Sequence, residues 1–389
     1  MDTTSEYPVV RITRKGVDRF RSGHPWIFRS DVLDIGTAGR GDLVRVVDNR
    51  DQALGLAHFS SSSQITLRML AGRGEEVDLA ERIASAELFR ASVVTDSTAY
   101  RLVHAEADFL PGLIIDRYDD VFAIQTLDQG MDAAMPEIVE VLEAQFPVRA
   151  IVARNDSAVR TLEELPREIK VVSGELDAAV EIHMNGFRMR ADLLHGQKTG
   201  VFLDQRENYL AAARYAKGSA LDCFTCTGGF AMHLARTCDS VEAVDSSAVA
   251  LETARSNAER NGLTNVAFKE ADAFDILTVY ASAWRKFDTV ILDPPAFAKS
   301  RKQIEAAARG YKEINLRALR LLNRGGVLVT CSCSQLIGEA MLLEILAEAA
   351  LDAGKRLRVL ERRAQASDHP ILLTVPETHY LKCLIVQVC

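Results

Sequence analysis

Ala220-Leu221-Asp222-Cys223-Phe224-Thr225-Cys226-Thr227-Gly228-Gly229-Phe230 is the stretch that decides the fold. An apolar strand runs through a glycine-bearing loop into a helix, and the same rhythm then repeats. Strands over 240–245, 266–268, 288–293 and 326–331 alternate with helices over 248–261, up to 284, 304–322 and 340–351. Alternation at this spacing predicts a parallel sheet with helices on both faces. Ligands of such sheets lie beyond the carboxyl ends of the strands, so the residues just past each strand are the candidates.

Past the first strand, Gly228-Gly229 lets the backbone approach a ligand closely at a helix N-terminus. The loop is not G-x-G-x-x-G, so the dinucleotide fingerprint fails. The second strand ends in Asp245, seventeen residues after Gly228, where a carboxylate can accept hydrogen bonds from both hydroxyls of a ribose. Asp272 follows the third strand and can take the exocyclic amine of an adenine; a helix N-cap is the other role for it. Together these suit an adenosine-bearing ligand without a pyrophosphate, a description that S-adenosylmethionine meets. The fourth strand ends in Asp293-Pro294-Pro295-Ala296-Phe297. Consecutive prolines fix that backbone, so their carbonyls and Asp293 can face a planar base; a merely rigid turn is the alternative. The fifth runs into Cys331-Ser332-Cys333-Ser334. A thiol at that edge can act as a nucleophile, or lie inert in the core.

Upstream the patterning changes. Short apolar runs between polar turns predict a small β-barrel over residues 1–74, with a linker at Gly72-Arg73-Gly74. Residues 75–189 mix strands and amphipathic helices as an α+β domain, and the strand–helix repeat fills 190–389. The 389-residue chain is 48% apolar and 26% charged, a globular balance large enough for several domains. No apolar run nears the ~20 residues that span a bilayer, and Met1 to Pro8 lacks the middle of a signal peptide, so a cytoplasmic protein without a membrane partner is expected. The seven cysteines read as reduced thiols. Cys223 and Cys226 form a CxxC, but no second ligand pair completes a tetrahedral zinc site, so no metal is predicted. Net charge is −8, yet residues 1–74 hold eleven Arg/Lys against eight Asp/Glu, +3, leaving −11 for the remainder. A basic end on an acidic body suits local contact with phosphates, or is simply a solvated surface.

Phe224-Thr225-Cys226-Thr227-Gly228-Gly229-Phe230, Asp293-Pro294-Pro295-Ala296-Phe297 and Ser332-Cys333-Ser334 resemble motifs of the PUA-containing class I S-adenosylmethionine-dependent 23S ribosomal RNA cytosine-C5 methyltransferases. Gly23-His24-Pro25-Trp26-Ile27-Phe28 is similar to that family's N-terminal signature, and Glu106 to Leu113 to a motif of its central domain. Residues 196–206, Asp368-His369-Pro370 and Tyr380-Leu381-Lys382 continue the resemblance over nearly the whole chain. Cys226 stands where an aromatic residue is common. The resemblance implies a PUA-like barrel, a central α+β domain and a C-terminal Rossmann-like methyltransferase. It implies that Gln205, Asp222, Phe224, Thr227, Gly228, Gly229, Asp245, Asp272 and Ala273 hold S-adenosylmethionine. It also implies that Cys333 is the nucleophile and Asp293 the acid holding the ring nitrogen of the adduct. Cys331, two residues earlier on the strand, is the reserve nucleophile. The implied partner is 23S ribosomal RNA or a large-subunit assembly intermediate; a homodimer stays open. An unpaired or flipped base is required. Trp26, Phe28 and Arg29, with Lys299, Arg301, Lys302, Tyr311 and Lys312, are candidate RNA contacts. A purine-nitrogen methyltransferase and a non-catalytic RNA-binding assembly factor are the rival readings. The first needs no thiol and the second no intact cofactor acids.

Overall fold

The computed structural model describes residues 7–196, 201–298 and 300–389. They fall into two compact units. One comprises residues 7–182, 191–196 and 368–378, and the other 183–190, 201–298, 300–367 and 379–389.

The first unit opens with strands β1 (Val9–Ile12), β2 (Trp26–Phe28), β3 (Val32–Asp34), β4 (Leu43–Val47), β5 (Ala53–Phe59) and β6 (Ile65–Gly72). They form one sheet in the order β2-β6-β5-β4-β1-β3, antiparallel except where β1 lies parallel to β4. Alternation sets the inner face: Val10 and Ile12 of β1 and Val44 and Val46 of β4 are buried. Between β1 and β2 the chain forms helix α1 (Arg14–Arg21), which the strand-only reading of this stretch passes over. Thr13 caps it by accepting the Gly16 N–H, and Val17 is its buried anchor.

The unit continues through α2 (Leu79–Val93), β7 (Ala99–His104), β8 (Leu113–Tyr118), β9 (Val121–Thr126), α3 (Gln129–Ala133), α4 (Met135–Gln145), β10 (Ala150–Asn155), α5 (Val159–Leu162) and β11 (Glu168–Gly174). The five strands lie in the order β11-β10-β9-β8-β7. Ile83 of α2 and Ile138 and Leu142 of α4 pack with Leu102, Ile115 and Phe122 in a second core, separate from that of the first sheet. Both of these cores lie in the first compact unit, and a further core of the described residues, around Leu221, Val290 and Leu328, lies in the second. A hairpin of β12 (Val180–Met184) and β13 (Phe187–Ala191) turns at Asn185-Gly186, both at positive φ, the pair that a tight hairpin turn favours.

The second unit holds α6 (Arg206–Tyr215), β14 (Ser219–Cys223), α7 (Gly229–Ala235), β15 (Ser240–Asp245), α8 (Ala248–Arg260), β16 (Val266–Glu270), α9 (Ala273–Ser282), β17 (Phe287–Leu292), α10 (Ile304–Leu321), β18 (Leu322–Ser332), α11 (Glu339–Asp352), β19 (Leu357–Arg363) and β20 (Lys382–Val388). The sheet order is β16-β15-β14-β17-β18-β20-β19. The first five strands are parallel, and β20 is antiparallel to both its neighbours. The order reverses at β14, so the crevice beyond β14 and β17 is where such a sheet binds ligands. Among the described residues no helix is long and apolar enough to cross a membrane.

Candidate active site at the carboxyl edge of the parallel sheet

The loop after β14 is strained. Phe224 and Cys226 adopt φ of 65° and 48°, and Gly228 follows at 88°; non-glycine residues there cost of order 1–3 kcal/mol each. Neighbouring groups hold the shape. Thr225 N–H donates to Val244 O at 3.0 Å and Gly228 N–H to Thr225 O at 2.8 Å. Asp245 accepts the Cys226 N–H on Oδ2 and the Ser247 N–H on Oδ1, both at 2.9 Å. Gly229 has no room for a side chain: a Cβ there would lie 2.4 Å from Cζ of Tyr209.

Asp222 is fully buried at the end of β14. Thr225 Oγ1 donates to its Oδ2 at 2.6 Å, whereas Oδ1 has no hydrogen-bond partner among the described residues. Burial pushes this carboxyl up to about 7, and the charges of Asp293 and Asp245 add to the shift. Neither Asp222 nor Asp245 meets a Lys or Arg in any ion pair among the described residues. Asp272 caps α9, accepting the Phe274 and Asp275 N–H groups on Oδ1 at 2.8 and 3.2 Å, so the N-cap alternative is realised. Ala273 behind it and Thr227 are buried, and Phe224 is half-buried.

At the end of β17, Asp293 Oδ2 accepts from Gln205 Nε2 at 3.0 Å. Asn208 Nδ2 in turn donates to Gln205 Oε1 at 2.7 Å. Gln205, expected from the resemblance among the cofactor residues, thus orients the motif acid, a role that nothing in local sequence signals. Phe297 stacks between Phe274 and Tyr311, with ring centroids at 5.9 and 4.6 Å.

Cys333 lies one residue past β18 and is half-buried, its sulfur 3.9 Å from Pro294 O. The serines beside it are clamped: Ser332 Oγ donates to Tyr311 Oη at 3.0 Å, and Tyr311 Oη shares a 3.1 Å hydrogen bond with Ser334 Oγ. Lys382 Nζ donates to Ser334 O at 2.6 Å and to Tyr380 O at 2.9 Å. Tyr311 is therefore no RNA contact. It is fully buried, and its hydroxyl is spent on the two serines. Cys331 is equally unsuited to the reserve role. It is fully buried opposite Cys383, and hydrogen bonding to that thiol, then burial, holds it well above the usual thiol range. Of the two thiols, only Cys333, just past the strand end at Ser332, is partly exposed.

The other expected RNA contacts have mixed surroundings. In the first unit Trp26 Nε1 donates to Glu106 at 2.9 Å, the Arg19 guanidinium lies 4.5 Å over the Phe28 ring, and Arg29 donates to the carbonyls of Ser61, Ser62 and Ser63. Lys312 pairs with Glu348 and Asp352 at 3.1 and 3.0 Å, while Arg301 and Lys302 are exposed. Lys299 and residues 197–200 of the 196–206 motif lie outside the described residues.

The crevice offers carboxylates to a cationic, adenosine-bearing molecule, and the orphaned Asp222 oxygen fits such a ligand. Comparison with known proteins agrees. Residues 10–71 match the PUA-like domain family and residues 154–385 the S-adenosylmethionine-dependent methyltransferase family. The chain is 43% identical over 386 residues to a ribosomal RNA large subunit methyltransferase I of Shewanella amazonensis, covering 96% of this chain and 97% of that one. It is 40% identical over 377 residues to the protein of the same name from Tolumonas auensis, covering 94% and 95%. Among solved structures, SMU.776 complexed with SAH superposes with a TM-score of 0.84 at 19% identity, over 98% of this chain and 100% of that one. An M. jannaschii tRNA m1G37 methyltransferase gives 0.51 at 17% identity, over 83% and 82%. At such identities the likeness is one of fold.

Proposed function

The chain belongs to the S-adenosylmethionine-dependent methyltransferases, in the family of ribosomal RNA large subunit methyltransferase I, and from that premise we propose that it methylates carbon 5 of a cytosine in 23S ribosomal RNA through a covalent bond from Cys333. The observation that carries this reading is the Cys333 sulfur at the mouth of the Asp293-Pro294-Pro295 turn, 3.9 Å from Pro294 O. A purine-nitrogen methyltransferase has no use for a thiol there.

S-adenosylmethionine, when bound, supplies an electrophilic methyl group on a sulfonium. Asp245 accepts from the ribose hydroxyls with the lone pairs its two backbone donors leave. Asp222 answers the positive charge, and Asp272, Ala273, Phe224, Thr227, Gly228 and Gly229 line the adenosine and methionine ends. Carbon 5 of cytosine is a poor nucleophile. The Cys333 thiolate adds to carbon 6, and the ring electrons shift onto N3, which takes the carboxyl proton of Asp293 and stays hydrogen-bonded to that side chain, held in place by Gln205. Carbon 5, now enamine-like, takes the methyl group. Its remaining hydrogen leaves as a proton to a base, and as the ring double bond re-forms the thiolate departs and N3 returns its proton to Asp293. The basic N-terminal sheet and the exposed Arg301 and Lys302 contact phosphates of the ribosomal RNA or of an assembling large subunit.

Cys333→Ala should abolish methyl transfer and keep cofactor affinity. RNA carrying 5-fluorocytosine at the target should trap the parent protein and the Cys331→Ala variant as covalent adducts, but not Cys333→Ala. Product formation by Cys333→Ala overturns the covalent route and favours the purine-nitrogen alternative.

A further inference from the structure

Strand β20 reads Lys382-Cys383-Leu384-Ile385-Val386-Gln387-Val388, a lysine at the head of an apolar run. Lys382 is only 2% exposed. Burying an ammonium costs several kcal/mol unless a partner charge and hydrogen bonds answer it. The hydrogen bonds are present, to the carbonyls of Ser334 and Tyr380. A carboxylate is not: among the described residues Lys382 enters no ion pair with Asp or Glu. A buried cation that meets only neutral carbonyls calls for an anion close by.

The register identifies it. Lys382 sits opposite Ser332 across the β18–β20 ladder, and its Nζ holds the carbonyl of the residue immediately after Cys333. The Cys333 sulfur also lies 3.9 Å from the Pro294 carbonyl, and the Tyr311 hydroxyl that clamps Ser332 and Ser334 is neutral. Cys331 and Cys383 face each other within the sheet as buried thiols. Burial draws Lys382 itself down to about 8, and the Cys333 charge is the one pull in the opposite sense.

We propose that Lys382 is a positioning residue for the nucleophile, holding the Cys333–Ser334 backbone through its two carbonyl bonds and supplying the positive charge that stabilises the Cys333 sulfur as a thiolate. The inference rests on the reading of Cys333 as nucleophile, but its test does not depend on RNA. The thiolate is the form that iodoacetamide alkylates, so the pH midpoint of Cys333 alkylation reports the charge beside it.

The full-length protein is treated with iodoacetamide from pH 5.5 to 9.5, and the Cys333 peptide is quantified by mass spectrometry. The midpoint in the parent protein should lie below the ~8.5 of a free thiol. Lys382→Gln keeps a side-chain N–H donor but carries no charge; it should raise the midpoint by about one unit or more, slowing alkylation at pH 7 about tenfold. Lys382→Arg should hold the midpoint near that of the parent. Lys382→Met, which loses bonds and charge together, should behave like Lys382→Gln wherever its circular dichroism is native. An unchanged midpoint in Lys382→Gln overturns the proposal, as does an equal rise in Lys382→Arg. Methyl transfer by Cys333→Ala would overturn the function assigned to Cys333 and leave the alkylation result standing.

Discussion

Buried acids occur in both units, and the two sets are answered differently. In the first unit Asp31, Asp116, Asp128 and Glu163 each have an arginine, while Asp368 faces His369 and accepts the Arg101 backbone N–H. Arg68 Nη2 donates to Glu163 at 2.9 Å and its Nε lies 3.8 Å from Asp128. Arg90 grips Asp108 with both terminal nitrogens, Arg101 holds Asp116 at 2.7 Å, and Arg160 holds Asp132 at 2.8 Å. At the carboxyl edge of the parallel sheet, Asp222 and Asp245 receive only hydroxyl and amide donors. A carboxylate neutralised by its own chain is a piece of architecture. One left without a cation at a strand end is open to a ligand's charge, and on the function proposed above that charge is the sulfonium and ammonium of S-adenosylmethionine.

Removing the counter-charge in the first unit should have the largest effect. Arg68→Met leaves Glu163 and Asp128 buried without their cation and should cost about 3–5 kcal/mol in denaturant unfolding of the full chain. Adding Glu163→Gln should recover part of the loss. A cost under ~1 kcal/mol would break the contrast from that side.

Asp222 tests the other side. Its folded-state value of about 7 lies above the 3.8 of an ordinary aspartate, so between those values the native state binds more protons than the unfolded chain. Stability of the ligand-free protein should therefore fall as pH rises from about 4 to about 7, then level off, the whole change amounting to a few kcal/mol at most. Asp222→Asn should flatten that slope and weaken cofactor binding, opposite signs from one substitution. Binding of the cationic cofactor should also drive a proton off Asp222. Calorimetry near pH 6.5 in buffers of different ionisation enthalpy should detect its release, and Asp222→Asn should show none. A slope that survives in Asp222→Asn would assign it to another group.

The smallest expected effect is at Asp245. Asp245→Ala should weaken cofactor binding roughly tenfold or more, since hydrogen bonds to a charged group are worth ~1.5–3 kcal/mol. Unchanged affinity by calorimetry would leave Asp245 as a loop brace and nothing else.

The parallel sheet and its ligand edge were legible because buried strands read as apolar runs and the loops after them carry Gly, Pro and Asp. Helix α1 was not, since only Val17 is fully packed and its other side chains are mostly charged. The Asn185-Gly186 hairpin carried a local signal that a search for strand–helix rhythm passes over. Long-range pairs are invisible to local reading, at the site and away from it: Gln205 meets Asp293 across 88 residues, and in the first unit Arg68 meets Glu163 across 95. Lys382 left one trace, a charge at the head of an apolar strand. Periodicity marks the hydrophobic cores but not which of them share a compact unit.

The segment 368–378, which completes the first unit from near the end of the chain, ties the fold to the direction of synthesis. Fully buried Arg90 donates to Asp368 O, 278 residues later, and the Arg101 N–H donates to the Asp368 side chain at 2.9 Å. At about 5–20 residues per second, a ribosome needs roughly 15–55 s to make the intervening chain. Strand β20, interior to the other sheet, emerges later still. A nascent chain stalled at residue 367 therefore lacks both the segment that Arg90 and Arg101 hold in the first unit and the Leu384, Val386 and Val388 side chains of the second unit's core.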